Sequence, residues 1–435
     1  MPAVAYLVSQ HPALSHAFIT QEIRALEDRG WTVQRYSVRP PDPEHLTLAP
    51  VAAEARRTTV LRGAVGAGAL ALLRAAVRSP HATASMSRNA LRVVRPHGGR
   101  AVGVRALALA VATRASYLLQ AAVLAERLDA SAVRHVHVHF ANNAAEVARL
   151  ACGWLTAAGR PTSYSLTLHS MAMHGLRHRP DDDWPDGGAL RWGPLADKVR
   201  GAAFTACISE FCRQRAREVL DGLSADLPIV HMGVDVGRFS PSPAETTGGE
   251  PADPAVLLFV GRWAEEKGTG ALLDAVDQLL DEGLDLRLLV AGDGPLRDTL
   301  KARVSGSSRL SPAVELLGPV ANDALPDLYR GADLLCLPST VEGVPVVLME
   351  AMASGLPVVS TRIDGIPELV EDQVSGLLCT PGDHSGLVSA IRDLLQAPER
   401  RARMGAAARA RVLDAFDSSR EVVRLEERLR AAADA

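Results

Sequence analysis

The amino-acid sequence predicts an α/β protein of two doubly wound domains, each built on a parallel β-sheet that helices cover on both faces. The length of 435 residues exceeds the size at which a single hydrophobic core stops growing. A stretch rich in Gly, Pro, Ser and Thr from Ser240 to Pro254 divides the chain into two parts. In the second part, apolar runs alternate with helical patterns, which indicates buried parallel strands connected by helices.

The first part opens with a β-α-β pattern. Ala3 to Ser9 predicts a strand, Ser15 to Arg29 has helical spacing, and Thr32 to Val38 alternates as a second strand. Residues 55 to 130 are alanine-rich and helical. The later elements of this part are predicted as strands at Val133 to Phe140 and Thr162 to Leu168, and as a helix at Glu210 to Leu220.

The second part has a very regular order of elements. Its strands are predicted at Val256 to Val260, Leu286 to Ala291, Leu334 to Leu337 and Pro357 to Thr361. Its helices are predicted at Gly270 to Asp281, Leu296 to Val304 and Val346 to Ala353. We therefore expect an N-terminal domain of residues 1–240, a second domain of residues 241–410, and a helix in residues 411–435 that packs on the first domain.

The composition is that of a soluble globular protein, with 47% hydrophobic and 22% charged residues and a net charge of −3. This charge argues against nucleic acid as a partner. The five cysteines are scattered and lie mostly in apolar runs, so we expect reduced core residues. The start of the chain lacks the basic segment of a signal peptide, which predicts a cytoplasmic protein.

The alanine-rich region raises the question of a membrane. Gly63 to Leu73 is uncharged but is bounded by Arg62 and Arg74, so it is shorter than the roughly 20 residues of a membrane-spanning helix. A helix of Ala, Leu and Arg can also lie on a membrane surface at the inner face of the membrane, or be an ordinary packed helix. Peripheral membrane contact is therefore one of two expectations for this region.

Two cations follow the first strand of the second part. Arg262 and Lys267 lie in the turn between that strand and the next helix, beside Gly261 and Gly268. The N-terminus of a helix presents unpaired N–H groups, and Arg and Lys add charges that suit phosphate. The order Lys-Gly-Thr differs from that of a P-loop. The alternatives are a site for an anion and a solvated turn.

Two acids flank the start of a later helix. Glu342 precedes Gly343 and Val344, and Glu350 is the one acid inside the apolar helix that follows. A buried carboxylate needs hydrogen-bond donors, and a ribose diol offers two hydroxyls side by side. Gly343 permits close approach of the backbone, so the N–H groups of Gly343 and Val344 are candidates for binding a phosphate.

These motifs together resemble the family 4 retaining glycosyltransferases, whose fold is named GT-B. The spacing of Glu342 and Glu350 lies within Glu-Gly-x-Pro-x4-Glu-Ala-Met-Ala-x-Gly-x-Pro-Val-Val. The other matching motifs, in the expected order, are Gly261-Arg262, Glu266-Lys267-Gly268, Gly292-Asp293-Gly294-Pro295, Pro338-Ser339 and Gly365-Ile366-Pro367-Glu368. The resemblance therefore covers residues 256 to 400, and implies two Rossmann-like domains that face a central cleft.

The resemblance implies a role for each matching residue. Arg262 and Lys267 would hold the diphosphate of a nucleotide-sugar donor, with backbone N–H contacts from Gly343 and Val344. Glu350 would bind the ribose hydroxyls, and Glu342 would face the transferred sugar. Because two cations and a helix dipole neutralise the leaving diphosphate, we expect no requirement for a metal.

The first part resembles the family less closely. Ser9 to Leu26 is similar to the segment Phe-Pro-x2-Ser-Glu-Thr-Phe-Ile-x2-Glu-Ile of a polysaccharide-building subgroup, with His11 and His16 in place of Phe and Glu and Ala17 in place of Thr. We therefore consider His16 a candidate acceptor contact. The change tilts the expected acceptor toward a small natural product, with a saccharide as the alternative.

Histidines at the ends of two strands complete the predicted site. His169, in Thr167-Leu168-His169, resembles the family histidine that contacts the donor sugar or phosphate, although Ala172 replaces an acid often found three residues later. His139 is predicted either to touch the acceptor or to cap the sheet. His135, His137 and His139 alternate along one strand face, which is compatible with a metal site, but we favour the structural interpretation.

The expected activity is transfer of a hexosyl group from a UDP- or GDP-sugar to a hydroxyl acceptor, with retention of configuration. The acidic run Asp181-Asp182-Asp183 contains the spacing of metal-dependent enzymes of another fold, but its flanking prolines indicate a loop. The alternatives are a protein that binds nucleotide sugars without transferring them, and another reaction of the same fold such as epimerisation.

Overall fold

The computed structural model describes residues 1–13, 16–63, 65–91, 104–169, 195–220, 222–241 and 254–434. The chain forms two compact units, Met1–Val230 with Val422–Ala435, and His231–Glu421. The division at Val230 precedes the predicted boundary at residue 240, and most of the predicted linker lies outside the described residues. Each unit contains a six-stranded sheet in which every pair of neighbouring strands is parallel. The predicted fold class is confirmed.

The sheet of the first unit has the order β3-β2-β1-β4-β5-β6. Its strands are β1 (Ala3–Gln10), β2 (Thr32–Arg39), β3 (Thr58–Val60), β4 (His135–His139), β5 (Ser163–Leu168) and β6 (Thr205–Cys207). Six consecutive residues of β1 are buried, as expected for a central strand that helices cover on both faces. The strand order reverses between β1 and β4.

The helices of the first unit cover this sheet. They are α1 (Ala17–Asp28), α2 (Ala49–Arg57), α3 (Val65–Arg78), α4 (Pro80–Leu91), α5 (Val104–Asp129), α6 (Asn143–Ala157), α7 (Leu195–Arg200) and α8 (Glu210–Val219), with a 3-10 turn at Glu44–Thr47. Helix α1 shows how the sequence directs this packing. Its residues Ile19, Ile23 and Leu26 recur at helical spacing, and all three are buried in the core of the unit.

Helix α5 is the one helix in the described part of the chain that is long and apolar enough to cross a membrane. The segment Leu107–Asp129 has a mean hydropathy of 1.5, although 44% of its most apolar window is buried inside the unit. Its second half packs in the core, where Leu124 and Leu128 are fully buried. Arg114 is also buried, and its Nη1 lies 3.7 Å from a carboxylate oxygen of Glu146 in α6. These contacts are those of a core helix.

The sheet of the second unit has the order β12-β11-β10-β7-β8-β9, which repeats the topology of the first. Its strands are β7 (Ala255–Val260), β8 (Leu286–Ala291), β9 (Val314–Gly318), β10 (Leu334–Leu337), β11 (Val358–Thr361) and β12 (Gly376–Cys379). The strand order reverses between β7 and β10. In open parallel sheets, ligands bind beside the carboxyl ends of the strands at such a reversal.

The helices of the second unit follow its strands in regular alternation. They are α9 (Thr269–Asp281), α10 (Arg297–Ser305), α11 (Leu310–Ala313), α12 (Leu325–Arg330), α13 (Val346–Ala353), α14 (Ile366–Leu369), α15 (His384–Leu395) and α16 (Pro398–Ala415), with 3-10 turns at Glu265–Lys267 and Asn322–Ala324. The last helix, α17 (Ser418–Asp434), belongs to the first unit from Val422 onward. There the indole N–H of Trp31 donates to Glu426 Oε1 at 3.0 Å.

Candidate functional site

The loops after β7 and β10 contact each other at the reversal point of the second sheet. The N–H of Thr340 donates to the carbonyl oxygen of Glu266 at 2.8 Å. Gly268 has a φ of 71°, and a Cβ at this position would lie 2.1 Å from the carbonyl oxygen of Pro338. The absence of a side chain at Gly268 therefore lets the loop that carries Lys267 approach the β10 loop.

We expect Gly268→Ala to lower the melting temperature, because the new Cβ would force the two loops apart and strain the backbone. Left-handed backbone at a non-glycine residue costs on the order of 1 kcal/mol, to which the steric overlap adds. Gly283→Ala is the matched control, since Gly283 also has a positive φ, of 85°, but a Cβ there would have no other atom within 4 Å. Equal losses of thermal stability in the two variants would contradict this role for Gly268.

Lys267 and Glu342 form an ion pair at this contact. The Lys267 Nζ lies 2.6 Å from Glu342 Oε1, and the Ser339 hydroxyl donates to the same oxygen at 2.7 Å. The N–H of Glu342 donates to Asp364 Oδ2 at 2.9 Å, which fixes the backbone. Since an ammonium group has three donors, Lys267 can hold Glu342 and bind an anion at the same time.

Arg262 lies on the same loop as Lys267 and is more exposed. Its side chain is 63% exposed, and its Nη2 lies 3.2 Å from Glu266 Oε1. The neighbouring β8 loop supports it through Gly292, where a Cβ would lie 1.8 Å from the carbonyl oxygen of Gly261. The predicted Gly-Asp-Gly motif therefore serves the close packing of these two loops.

The β10 loop leads into the N-terminus of α13. The carbonyl oxygen of Gly343 accepts a hydrogen bond from the N–H of Gly365 at 3.0 Å. Among the described residues, none accepts a hydrogen bond from the backbone N–H of Gly343 or Val344. These two N–H groups precede Pro345 at the start of the helix, where an anion is stabilised by unpaired donors and by the helix dipole.

Glu350 is buried in α13 and is held from one side. The hydroxyl of Tyr329 in α12 donates to Glu350 Oε2 at 2.7 Å. Burial raises the pKa of Glu350 to about 7, while the Tyr329 hydrogen bond and the charge of Arg238 act in the opposite direction. No residue of the described chain donates a hydrogen bond to Glu350 Oε1. The second oxygen is therefore available to accept from a ligand.

A chain of hydrogen bonds in the first unit includes His169. The Tyr6 hydroxyl donates to Glu22 Oε1 at 2.6 Å, and the same oxygen lies 3.1 Å from His139 Nε2. The other nitrogen of His139, Nδ1, lies 2.8 Å from His169 Nε2. We call Glu22, His139 and His169 the imidazole chain.

The order of donors along the imidazole chain follows from the carboxylate. An ionised Glu22 is an acceptor only, so His139 Nε2 carries a proton and donates to it. A His139 ring that carries this single proton accepts at Nδ1, which requires the proton of His169 to lie on Nε2. The unprotonated nitrogen of a neutral His169 is consequently Nδ1, and the chain selects this tautomer.

His139 itself is fully buried, with 0% of its surface exposed. His139 therefore lies in the interior beside His169, and its direct contact with an acceptor stays a prediction. Phe140, which follows it, has a φ of 68°, a conformation that is uncommon for a bulky residue. The Phe140 ring packs on the His169 ring, with 4.5 Å between the ring centroids, and so helps to fix the orientation of His169.

His16 lies at the start of α1, beside Phe140. The centroids of these two rings are 5.1 Å apart, and His16 Nδ1 lies 3.4 Å from the carbonyl oxygen of Gln10. Burial lowers the pKa of His16 to about 4, although the Gln10 hydrogen bond acts in the opposite direction. At neutral pH the position that resembles a family glutamate is therefore occupied by an uncharged ring.

The histidines of β4 have hydroxyl partners on β5. His137 Nδ1 lies 2.8 Å from the Ser165 hydroxyl, and His137 Nε2 lies 3.1 Å from that of Thr167. Burial lowers the pKa of His137 well below its usual value. His137, His139 and Glu22 have side-chain atoms within 4.8 Å of one another, but each ring nitrogen of both histidines already has a hydrogen-bond partner. The structural interpretation accounts for these contacts without a metal.

Several residues of the site were not singled out from the sequence. Tyr329 and Asp364 act across the second unit, and no local motif predicts their contacts. Glu22 lies inside the segment that resembles the polysaccharide subgroup, at its second glutamate. This resemblance could have identified Glu22 as a candidate. Ala172 and Asp181-Asp182-Asp183 lie outside the described residues.

A comparison with protein families matches the second unit. The sequence profile of the glycosyl transferases group 1 matches residues 245–411, which are almost the whole of the second unit. This part of the chain matches that family, in agreement with the motif resemblance. The fold of the chain is GT-B, as the two sheets of identical topology also indicate.

Curated relatives align with only part of the chain. The glycosyltransferase WcaL of Escherichia coli (strain K12), named for colanic acid biosynthesis, is 37% identical over 171 residues, which are 38% of this chain and 41% of WcaL. A D-inositol 3-phosphate glycosyltransferase of Streptomyces scabiei (strain 87.22) is 31% identical over 273 residues, or 59% of this chain and 60% of the relative. The chain thus spans about two fifths to three fifths of the length of these two relatives.

A solved structure extends the likeness to the whole chain. HepE of Anabaena, crystallised with UDP, superposes with a TM-score of 0.69 at 18% sequence identity, over 99% of this chain and all of HepE (100%). HepE has also been solved with UDP-glucose. At this level of identity the comparison supports the fold.

Proposed function

We propose that the protein is a retaining hexosyltransferase that moves a sugar from UDP or GDP to a hydroxyl group of an acceptor. The observation that carries the proposal is the ion pair of Lys267 with Glu342 at the reversal point of the second sheet, with the buried Glu350 in the helix that follows. The family of this unit and the UDP-glucose complex of HepE support a nucleotide sugar as its ligand.

The diphosphate is the part of the donor that gains negative charge as the sugar leaves. Arg262 and Lys267 supply two positive charges, and the N–H groups of Gly343 and Val344 supply two further donors. Groups of this kind, fixed before the reaction, stabilise a leaving group without reorganisation during the step. In the proposed reaction the acceptor oxygen bonds to the anomeric carbon, the bond to phosphate breaks, and the leaving phosphate oxygen takes the acceptor proton.

Two glutamates divide the recognition of the donor. Glu350 accepts from a ribose hydroxyl with Oε1 while Tyr329 holds Oε2. Glu342, oriented by Lys267 and Ser339, faces the transferred sugar. We further propose that His169, in the tautomer that the imidazole chain selects, contacts a substrate.

The acceptor is proposed to be neutral near His16. An uncharged ring beside the ring of Phe140 offers apolar faces, whereas a glutamate at this position would favour a cationic or strongly hydrogen-bonding group. A small natural product or a saccharide satisfies this description.

The direct test is a thermal-shift screen of UDP-, GDP-, ADP- and dTDP-sugars, followed by turnover of the stabilising donor with saccharide and small-molecule acceptors. We expect one donor to raise the melting temperature and to be consumed, with an α-linked product from an α-linked donor. Release of an altered sugar without an acceptor would assign the site to epimerisation. Binding without turnover across a broad acceptor panel would assign it to nucleotide-sugar binding alone.

Transfer is expected to proceed without a divalent metal, because Arg262, Lys267 and the helix N-terminus neutralise the leaving diphosphate. Turnover measured in excess EDTA should equal turnover measured with magnesium to within about twofold, because in this proposal no metal stabilises the departing charge. Loss of turnover in EDTA that magnesium restores would contradict this prediction.

Binding of UDP-glucose as a probe is expected to strengthen as pH rises, because Glu350 accepts ribose hydrogen bonds best when it is ionised. With the pKa of Glu350 raised to about 7 by burial, ionisation is nearly complete only about one pH unit above that value. The dissociation constant should therefore be roughly tenfold larger at about pH 6 than at about pH 8. Calorimetry across this range measures the effect.

The choice of ligand and variant isolates Glu350 in that measurement. UDP-glucose has no terminal phosphate monoester. Such a group loses its second proton at about pH 6, and its titration would overlap that of Glu350. Glu350→Gln should bind more weakly and without the pH dependence. An identical pH dependence in the Gln variant would assign the titration to another group.

A further inference from the structure

Large exposed apolar side chains are concentrated in the helices between β3 and β4. Of the twelve in the described part of the chain, seven lie in α3, α4 and the start of α5. They are Leu70, Leu73, Val77, Leu91, Leu107, Leu109 and Val111. A concentration of this kind on one part of a folded unit marks an interaction surface more often than single exposed residues do.

Three of these residues form one face of α3. Leu70, Leu73 and Val77 follow helical spacing, and they are 47%, 61% and 78% exposed. On the opposite face Ala71 and Ala75 are buried. We call Leu70, Leu73 and Val77 the α3 strip.

The α3 strip is held in place by α5. A Cβ at Gly68 would lie 2.8 Å from Leu119 Cβ, so the two helices pack closely there. Further along, Arg74 Nη1 lies 2.8 Å from Glu126 Oε1, and Arg78 pairs with Asp129. These contacts run in the same order along both helices, so α3 is parallel to α5. The strip is therefore a preformed face.

The charge of this region is strongly one-sided. From Arg62 to Ala125 the sequence has nine arginines and no Asp, Glu or Lys, in a protein whose net charge is −3. Arg74 and Arg78 are partly balanced by the acids at the end of α5. The exposed residues Arg62, Arg88 and Arg105 make no ion pair with any acid of the described chain.

We propose that the α3 strip docks the protein on the surface of an anionic phospholipid bilayer. Leucine and valine side chains on one helix face enter the boundary between headgroups and acyl chains, while flanking arginines attract anionic headgroups. A second copy of the chain is disfavoured as the occupant, because a two-fold interface would bring this basic region against itself. Nucleic acid offers no counterpart to the apolar strip.

The test is co-sedimentation of the full chain with vesicles of phosphatidylcholine, with and without phosphatidylglycerol. We expect binding to the anionic vesicles, weakening as salt is raised, and little binding to phosphatidylcholine alone. The double variant Leu73→Gln/Val77→Gln should lower the partition coefficient about tenfold or more, since two apolar side chains lose their burial. The control Val219→Gln/Val374→Gln changes two exposed valines elsewhere and should bind as the unaltered protein does.

Charge and fold are tested separately. Arg62→Gln/Arg88→Gln should weaken binding to anionic vesicles and reduce its salt dependence, while melting temperatures verify that all variants fold. Equal binding by the strip variant, or no binding of the unaltered protein to anionic vesicles, would overturn the proposal. A dimer that the strip variant dissociates, without vesicle binding, would assign the surface to a second copy. None of these results depends on glycosyl transfer.

Discussion

Replacing Lys267 by methionine is expected to weaken the binding of UDP about tenfold or more, and to lower kcat/KM for transfer further. The Lys267 Nζ is placed beside the loop of Gly343 and Val344 by its contact with Glu342. A hydrogen bond to a charged group contributes about 1.5 to 3 kcal/mol, which corresponds to roughly 10- to 150-fold in affinity. Calorimetry with UDP and steady-state kinetics measure the two effects.

Two controls separate the phosphate contact from indirect effects. Lys301→Met removes an exposed lysine of α10 and should leave UDP affinity unchanged. The double variant Lys267→Met/Glu342→Gln removes the carboxylate that the single variant leaves unpaired. If UDP binding recovers in the double variant, the loss came from the stranded Glu342 charge, and the proposed contact of Lys267 with phosphate is wrong.

The central strands of both sheets could be predicted from the sequence, whereas the edge strands could not. The predicted strands correspond to β1, β2, β4 and β5 in the first sheet and to β7, β8, β10 and β11 in the second. The four that were missed, β3, β6, β9 and β12, are the outer strands of the two sheets. They have three to five residues and each contains a polar residue or a glycine, so none of them is an uninterrupted run of large apolar side chains.

Arg262, Lys267 and Glu342 could be proposed as candidates because each follows a strand that is visible in the sequence. Topology then brings the β7 and β10 loops together, and Lys267 meets Glu342 although the two are far apart in the chain. The hydrogen-bond partner of Glu350 could not be predicted. Tyr329 lies on a separate helix, and only the fold brings its hydroxyl to Glu350. Sequence motifs therefore predict which groups bind, and the structure shows which neighbours orient these groups.

The role of His139 shows the limit of that reasoning. Its place at the carboxyl end of β4 predicts either an acceptor contact or a cap, and periodicity does not show which side chains lie behind it. In the structure the hydrogen bonds to Glu22 and His169 account for both of its ring nitrogens. His139 is accordingly a positioning residue in our proposal, acting through His169.

Replacing Glu22 by glutamine is expected to lower kcat about a hundredfold, the size typical of a lost proton-orienting contact. The affinity for UDP should change by less than about twofold, because Glu22 shares no partner with the residues proposed to bind UDP. An amide can donate as well as accept, so Gln no longer requires a proton on His139 Nε2, and the tautomer of His169 is no longer selected. The measurements are steady-state kinetics and nitrogen chemical shifts of His169, which report its tautomer directly. His81→Asn, at an exposed position of α4, is the control.

A double-mutant cycle distinguishes an imidazole chain from two separate structural contacts. If Glu22 acts only through His139, then His139→Leu and the double variant Glu22→Gln/His139→Leu should lose nearly the same amount of kcat. Residues that contribute independently would instead give losses that multiply. Multiplying losses, or an unchanged His169 tautomer in Glu22→Gln, would contradict the chain. Agreement would show that the first unit sets the protonation of His169 from a carboxylate two side chains away.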